Sequence, residues 1–208
     1  MTSRPSPDEE LHDGEVTTPR LAATVILLRG GAAGLEVLLV RRTSEARFMA
    51  GAWVFPGGAV DAADGEGQAG LRAAAVREVG EEAGITLGAD AELVAFSNWI
   101  TPAQVRIRYD TWFYLASMPA GQRPRIDGRE IVDARWLAPA DALAAAARDE
   151  MEIVFPTRAH LERVGRFATA EALLAHARGR AVAPVEPRVI GSGERARIVL
   201  PGEPGYDA

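Results

Sequence analysis

Hydrophobic residues cluster along the chain in short runs, and these runs predict a mixed α/β domain. Two Leu- and Val-rich runs at 21–30 and 35–43, joined by a Gly/Ala linker, predict a hairpin of buried strands. The segment AWVFPGGAV at 52–60 predicts a short strand that ends in a Pro-Gly-Gly turn. The pattern therefore begins with β-structure.

The spacing changes to a helical one from about Gln68 to Ala83. Val76, Val79 and Ala83 stand at i, i+3 and i+7, which gives one apolar stripe. Gly84 follows as a residue that can end the helix in the left-handed conformation. We therefore predict one amphipathic helix after the Pro-Gly-Gly turn.

Strands and helices alternate less regularly in the second half. Apolar runs at 91–100, 105–116 and 130–137 predict strands, and a helix opened by proline is predicted at 139–150. Two further helices at 156–167 and 168–180 precede a hairpin over GSGE near 188–199. We expect a disordered tail at 1–20, one α+β domain at 21–150, and a helical and hairpin extension at 151–208 packed on that domain.

Composition narrows the possible chemistry. The 208 residues contain no cysteine, and all 23 basic residues are arginine, so thiol, Schiff-base and lysine phosphate-loop chemistry are excluded. A net charge of −6 argues against a nucleic-acid partner. No apolar run approaches the roughly 20 residues of a membrane span, and the N-terminus lacks a signal-peptide pattern. We therefore expect a cytoplasmic protein without a membrane partner.

The stretch REVGEEAGI, at 77–85, is unfavourable for a helix alone. Glu78, Glu81 and Glu82 stand at i, i+3 and i+4, so their carboxylates share one helix face and repel each other. They also lie in the last turn, where the helix dipole favours cations. A site for a divalent cation explains this arrangement, since hard cations prefer carboxylate oxygens.

REVGEEAGI resembles the second half of the Nudix signature, R-E-U-x-E-E-x-G-U with U aliphatic, and FPGGAVDAAD at 55–64 resembles the segment before it. The resemblance implies an α/β/α sandwich with a mixed sheet. It also implies hydrolysis of a diphosphate linkage in a nucleoside-diphosphate-linked compound, with Mg²⁺ or Mn²⁺ as cofactor and a small nucleotide as partner. Other stretches look like the peroxisomal coenzyme A diphosphatase-like branch and its bacterial relatives, which suggests a coenzyme A-like or ADP-ribose-like substrate.

The first half of the signature is altered. Asp64 stands where the family has its first glutamate, and twelve residues instead of seven separate it from Arg77. The extra residues around GEGQA are expected to form an inserted loop. Asp61, Asp64 and Glu66 remain alternatives for the first acidic role.

The resemblance assigns roles to the residues that match the motif. Glu78, Glu81 and Glu82 are expected to bind the metal, together with the Gly58 carbonyl, and one of the glutamates could also serve as base. Arg77, four residues before Glu81, is expected to orient a carboxylate through paired hydrogen bonds.

Residues outside the motif are expected to contact the substrate. Arginines at 41, 42, 47, 106 and 108 suit phosphate contacts, and we select Arg42, Arg47 and Arg108. Glu130, or Asp133 beside it, is a candidate for a further carboxylate from a distal loop. Aromatic side chains at 53, 99, 109 and 112 could stack on a base, although such residues are more often core.

Two other functions compete with the hydrolase. A catalytically inactive nucleotide-binding or regulatory protein on the same fold would account for Asp64 and the insertion. An oxidoreductase would use GEGQAG, at 65–70, as a dinucleotide loop, but the buried strand that must precede such a loop is absent. The extension at 151–208 could close over the substrate or form a homodimer interface.

Overall fold

The computed structural model describes residues 14–31, 34–46, 49–191 and 197–207. Most of the predicted tail at 1–20 and most of the GSGE turn lie outside the described residues. The remaining elements can be compared with the predictions directly.

Ten strands and four helices form from the described residues. The strands are β1 (Arg20–Gly31), β2 (Gly34–Arg42), β3 (Trp53–Val54), β4 (Gly57–Ala59), β5 (Val94–Ile100), β6 (Tyr109–Ser117), β7 (Ile131–Leu137), β8 (Pro184–Val185), β9 (Arg188–Ile190) and β10 (Arg197–Val199). The helices are α1 (Gly67–Ala83), α2 (Pro139–Ala147), α3 (Phe155–Val164) and α4 (Ala170–Ala177).

A mixed sheet forms the centre of the molecule. Its strand order is β3-β2-β1-β6-β5-β8, with β4 paired to β1 and β7 paired to β2. Strand β1 runs parallel to β6 and antiparallel to β2 and β4. The shorter β9 and β10 pair antiparallel in a separate two-stranded sheet.

Both faces of the central sheet are covered by helices. Along β1, Val25 and Leu27 point to the face that α1 covers, while Ile26 and Leu28 point to the face that α2, α3 and α4 cover. All four side chains are buried because alternate residues of a strand face opposite sides. The result is the α+β, three-layer sandwich that was expected.

The predicted hairpin and helix are confirmed. Strands β1 and β2 pair from Leu28 opposite Val37 to the turn, and α1 ends at Ala83. Gly84 follows in the left-handed conformation with φ 62°, and its amide donates to the Gly80 carbonyl. Val79 and Ala83 are fully buried, as their helical spacing predicts.

Two sequence-based predictions are wrong in detail. The strand predicted from Val105 starts only at Tyr109, because pairing with β1 begins at Arg20, opposite Tyr109, and Val105 donates to the Pro102 carbonyl in a turn. The extra residues after the Pro-Gly-Gly turn do not form a free loop. They form a 3₁₀ turn at Ala62–Asp64 and the first turn of α1.

The C-terminal helices share the core of the sheet. Leu161 and Val164 of α3 and Leu173 of α4 have no exposed surface and belong to the same cluster as Ile26 and Leu28. The extension therefore packs directly on the sheet. Of the helices that the described residues form, none is long and apolar enough to cross a membrane.

His160 fastens α3 to the sheet. Its ring stacks on Phe113 with centroids 4.0 Å apart, and its two nitrogens lie 2.5 Å from the Ser97 hydroxyl and 2.6 Å from the Pro156 carbonyl. A carbonyl only accepts, so Nδ1 donates to Pro156 and Nε2 accepts from Ser97. The neutral ring is satisfied, and burial lowers the pKa of His160 to about 4.

This burial predicts a loss of stability in acid. The folded state excludes a proton that the unfolded chain binds near pH 6.5, so stability is complete above that pH and is lost as the pH falls towards 4. We expect the contribution of His160 to lower the unfolding free energy by about 2 kcal/mol as the pH falls from 7 to 5. Urea unfolding at both values, with His160→Gln as the non-titrating comparison, measures it. An equal pH dependence in both proteins would contradict the assignment.

Candidate active site

The Pro-Gly-Gly turn brings β4 against both β1 and α1. Val25 donates to the Pro56 carbonyl, and Val60 donates to the Leu21 carbonyl, which fixes the turn at the sheet. A Cβ at Gly57 would collide with Thr24, and one at Gly58 would collide with the Glu78 carboxylate. Gly57 therefore lets the turn lie close against β1, and Gly58 lets it lie close against α1.

Arg77 is the centre of the first half of the site. Its guanidinium donates to Asp64 at 3.1 and 2.8 Å, to Glu78 at 2.8 Å, to Glu81 at 2.8 Å and to the Ala59 carbonyl at 3.0 Å. These contacts raise the pKa of Arg77, with the Asp64 hydrogen bond as the largest cause. Arg77 thus connects the β4 segment to α1.

The structure distinguishes the three acids that the sequence left open. The Asp64 side chain is only 6% exposed, and the hydrogen bond from Arg77 lowers its pKa. Asp61 lies farther away, with Oδ2 at 3.8 Å from the guanidinium, and Glu66 is the N-cap residue of α1. Asp64 is therefore the acid that pairs with Arg77.

Glu82 is the most buried of the three motif glutamates. It is 5% exposed and accepts from the Gly57 amide at 2.9 Å, while Arg42 lies 3.5 Å from its other oxygen. Burial raises the pKa of Glu82 to about 8 in spite of these two donors. Burial also raises the pKa of Glu78, against the opposing effect of Arg77.

Glu130 enters the site from the distal loop. It precedes β7, and its carboxylate lies 3.2 Å from Arg42, which also contacts Glu82. Its charge contributes to the raised pKa values of Glu78 and Glu82. Asp133, the other candidate, instead pairs with Arg135 at 2.9 Å. The distal carboxylate near the motif is thus Glu130.

Carboxylates outnumber cations in this region. Among the described residues, six carboxylates lie within 4 Å of two guanidinium groups, those of Arg42 and Arg77. Such an excess disfavours the ionised form of the most buried member, which is Glu82. The site can be neutralised either by protons or by a bound cation.

A cavity of about 470 Å³ opens over these residues. The predicted residues that line it are Arg42, Gly58, Arg77, Glu78, Glu81, Glu82 and Glu130. The sequence analysis missed the opposite wall, to which Phe113, Pro156 and Thr157 contribute. No local pattern marks these three, since Phe113 comes from β6 and the other two from α3, and only folding brings them together.

Arg108 does not join the cavity, contrary to its selection as a phosphate contact. It is buried, and its guanidinium donates to the Thr17 and Thr101 carbonyls and to Glu186 at 2.8, 3.0 and 2.6 Å. The Arg108 guanidinium is thus engaged by acceptors within the fold. Arg47 lies outside the described residues.

The aromatic candidates are placed differently from one another. Trp53 is buried in the core beneath Arg135, and Trp112 packs partly buried against the α1 side. Tyr109 lines the cavity, whereas Trp99 lines a smaller space beside it. Only the last two could contact a ligand.

The donor set fits a hard divalent cation, although its side chains are not arranged around one. Within the part of the chain that the structure describes, no three His, Cys, Asp or Glu side chains meet in a metal-binding arrangement. Arg77 holds Glu78 and Glu81, and the Gly57 amide holds Glu82. An oxygen-only set of carboxylates, with the backbone of Gly58 close to Glu78, suits Mg²⁺ or Mn²⁺.

Comparison with known families finds one match. Residues 18–157 match the model of the NUDIX domain. A curated protein of Caenorhabditis elegans, named nudix hydrolase 7, is 29% identical over 191 aligned positions, which cover 74% of this chain and 63% of that protein. The chain thus spans less than two thirds of that relative.

Solved structures show the same fold. A NUDIX hydrolase from Alicyclobacillus acidocaldarius is 26% identical with a TM-score of 0.69, covering 76% of this chain and 96% of the other. The NUDIX domain of Shewanella oneidensis NrtR, solved with ADP ribose, is 22% identical with a TM-score of 0.55. The match covers 72% of this chain and 88% of the other.

The Arg77 contacts predict a strong stability effect. Replacing Arg77 with Met leaves the nearly buried Asp64 without a cation, and we expect the unfolding free energy to fall by about 3 kcal/mol. Urea unfolding measures it. Arg166→Met, at an exposed position, should change the same quantity by less than about 0.5 kcal/mol.

A double substitution separates the Arg77–Asp64 pair from general disruption. The double variant carries both Arg77→Met and Asp64→Asn. Its loss of unfolding free energy should be clearly smaller than the sum of the losses in the two single variants, because the amide leaves no buried charge. Strict additivity of the two losses would contradict the pairing.

Proposed function

The chain belongs to the Nudix family, and we propose that it is a Mg²⁺- or Mn²⁺-dependent pyrophosphohydrolase that cleaves the diphosphate linkage of a nucleoside-diphosphate-linked compound. The single observation that supports this most directly is Glu82. This carboxylate is buried at the base of a ligand-sized cavity, within a cluster where carboxylates exceed guanidinium groups. A divalent cation would neutralise that excess and leave all the acids ionised.

Glu78, Glu81 and Glu82 would hold the cation, with the Gly58 carbonyl as a further oxygen ligand. When bound, a divalent ion polarises the phosphoryl oxygens and lowers the pKa of its water. Glu81 is the most exposed of the three, with 59% of its side chain accessible, so it is the best placed to accept the proton of the attacking water. Asp64 keeps Arg77 in position, and Arg77 orients Glu78 and Glu81.

Arg42 is the proposed phosphate contact. Its guanidinium lies at the cavity wall and contacts Glu82 and Glu130. A guanidinium binds two phosphate oxygens at once, so a substrate could share it with Glu130. This arrangement would hold the anhydride bridge beside the glutamates.

The substrate class follows from the cavity and the family. A volume of about 470 Å³ suits a nucleotide-sized ligand. The ADP ribose bound by the Shewanella domain is a compound of this kind, and coenzyme A-like compounds carry the same linkage. A small-molecule partner is therefore proposed, and the oligomeric state stays a prediction.

The activity test compares turnover across diphosphate compounds. Coenzyme A, ADP-ribose, dinucleoside polyphosphates, NADH and nucleoside triphosphates are incubated with Mg²⁺ or Mn²⁺, and phosphate is measured after a coupled phosphatase. We expect one class to be hydrolysed, and Glu82→Gln to lower kcat by at least about a hundredfold because it weakens the metal site. Glu171→Gln, exposed on α4, should retain full activity.

Each result of that assay decides between named functions. Turnover that survives in Glu82→Gln would contradict the role of this residue. Tight nucleotide binding without turnover under either metal would support the inactive, regulatory alternative instead.

A further prediction concerns Gly58. A Cβ here would collide with the Glu78 carboxylate and displace it, so Gly58→Ala should weaken Mn²⁺ binding by roughly tenfold or more. Free Mn²⁺ measured by electron paramagnetic resonance gives the affinity. Gly30→Ala is the matched control, since no atom lies within 4 Å of its added carbon. Equal affinities in both variants would exclude Gly58 from the metal site.

A further inference from the structure

A second, smaller cavity lies between the sheet and the C-terminal segment. Trp99 and Tyr109 form its sheet side, while Phe155, Pro187 and Ile198 form the opposite side. We call this space of about 90 Å³ the apolar slot. Its second wall consists of residues after 151, the part of the chain for which the sequence left two roles open.

The apolar slot adjoins the glutamate cavity. Met49, Tyr109, Thr111, Phe113 and Pro156 line both spaces. A group attached to a diphosphate in the larger cavity would therefore lie close to the slot.

The walls of the slot favour an apolar group over a polar one. Of the described residues that line it, none is charged. The Thr101 hydroxyl is already used in both directions, because it donates to the Tyr109 carbonyl and accepts from the Tyr109 amide. The edge of a nucleobase would lose its water there with few partners, which costs free energy, whereas alkyl groups gain by burial.

The C-terminal wall is fixed in place by contacts with the sheet side. Glu186 binds Arg108 at 2.6 Å, and the Tyr206 hydroxyl donates to the Glu186 carbonyl at 2.8 Å. Gln104 donates to the Val189 carbonyl at 3.4 Å, and Ile198 is buried beside Val189. Arg108 therefore supports this wall of the slot.

We propose that the apolar slot is the specificity subsite, and that it binds an alkyl portion of the group esterified to the substrate diphosphate. This proposal rests on the proposed function and names the substrate class more closely. The substrate would be a nucleoside diphosphate whose distal phosphate carries an alkyl chain. Water attacks one phosphorus and the bridging P–O bond breaks, which gives a nucleoside monophosphate and an alkyl phosphate.

The test uses esters that differ only in the alkyl group. P-methyl, P-butyl and P-hexyl esters of ADP are compared by kcat/KM with Mg²⁺. Each methylene that enters the slot should raise kcat/KM by roughly fourfold, so the butyl ester should exceed the methyl ester by tenfold or more. The same ratio with UDP esters would show that the chain, and not the base, occupies the slot.

Variants of Ile198 locate the effect. Ile198→Trp should fill the slot and reduce the butyl-to-methyl ratio to near one. Ile198→Ala should shift the preference towards the hexyl ester. Ile126→Trp is the matched control, because Ile126 is exposed and lines neither cavity, and its ratio should stay as in the native protein.

Binding gives a readout that does not need turnover. Calorimetry measures the affinity of the Glu82→Gln variant for the same esters, and this affinity should show the same chain-length preference. Ile198→Trp should abolish that preference. Two results would overturn the subsite. One is equal affinity and equal kcat/KM for the methyl and butyl esters, and the other is a chain-length preference that survives Ile198→Trp. Chain-length-dependent binding without turnover of any ester by the native protein would support the subsite and contradict the hydrolase.

Discussion

The arrangement of this protein depends on an excess of carboxylates held around two arginines. Arg77 joins Asp64, Glu78 and Glu81, and Arg42 joins Glu82 and Glu130. Burial raises the pKa of Glu82 to about 8, and the charges of Glu78 and Glu130 add to this effect. A structure stabilised only for its own sake would not keep such repulsion on one helix. The excess is the basis of the proposed cation site.

The fold positions this charge through a few close contacts. The glycines of the Pro-Gly-Gly turn let β4 lie against α1, so the Gly57 amide reaches Glu82. Strand β2 delivers Arg42, and the segment before β7 delivers Glu130. Helix α3 covers the other side of the sheet and, through Pro156, closes the cavity opposite the glutamates. Core packing and the site therefore share the same elements.

Much of this could be predicted from local sequence. The period of 3.6 placed α1 within a residue of its observed start, and the glutamate spacing alone singled out the residues of the proposed cation site. The selection of Arg108 failed for a physical reason, since its partners at Thr17, Thr101 and Glu186 come from three distant segments. The apolar slot was missed for the same reason, because residues on β5, β6 and the C-terminal segment meet only after folding.

We infer that the excess of carboxylates exists to bind a divalent cation. Anomalous diffraction from crystals grown with Mn²⁺ tests it most directly. We predict one strong peak within about 2.5 Å of carboxylate oxygens from at least two of Glu78, Glu81 and Glu82, with Arg77 still bound to Asp64. No peak at these glutamates in crystals that bind Mn²⁺ elsewhere, or none at saturating Mn²⁺, would contradict the claim.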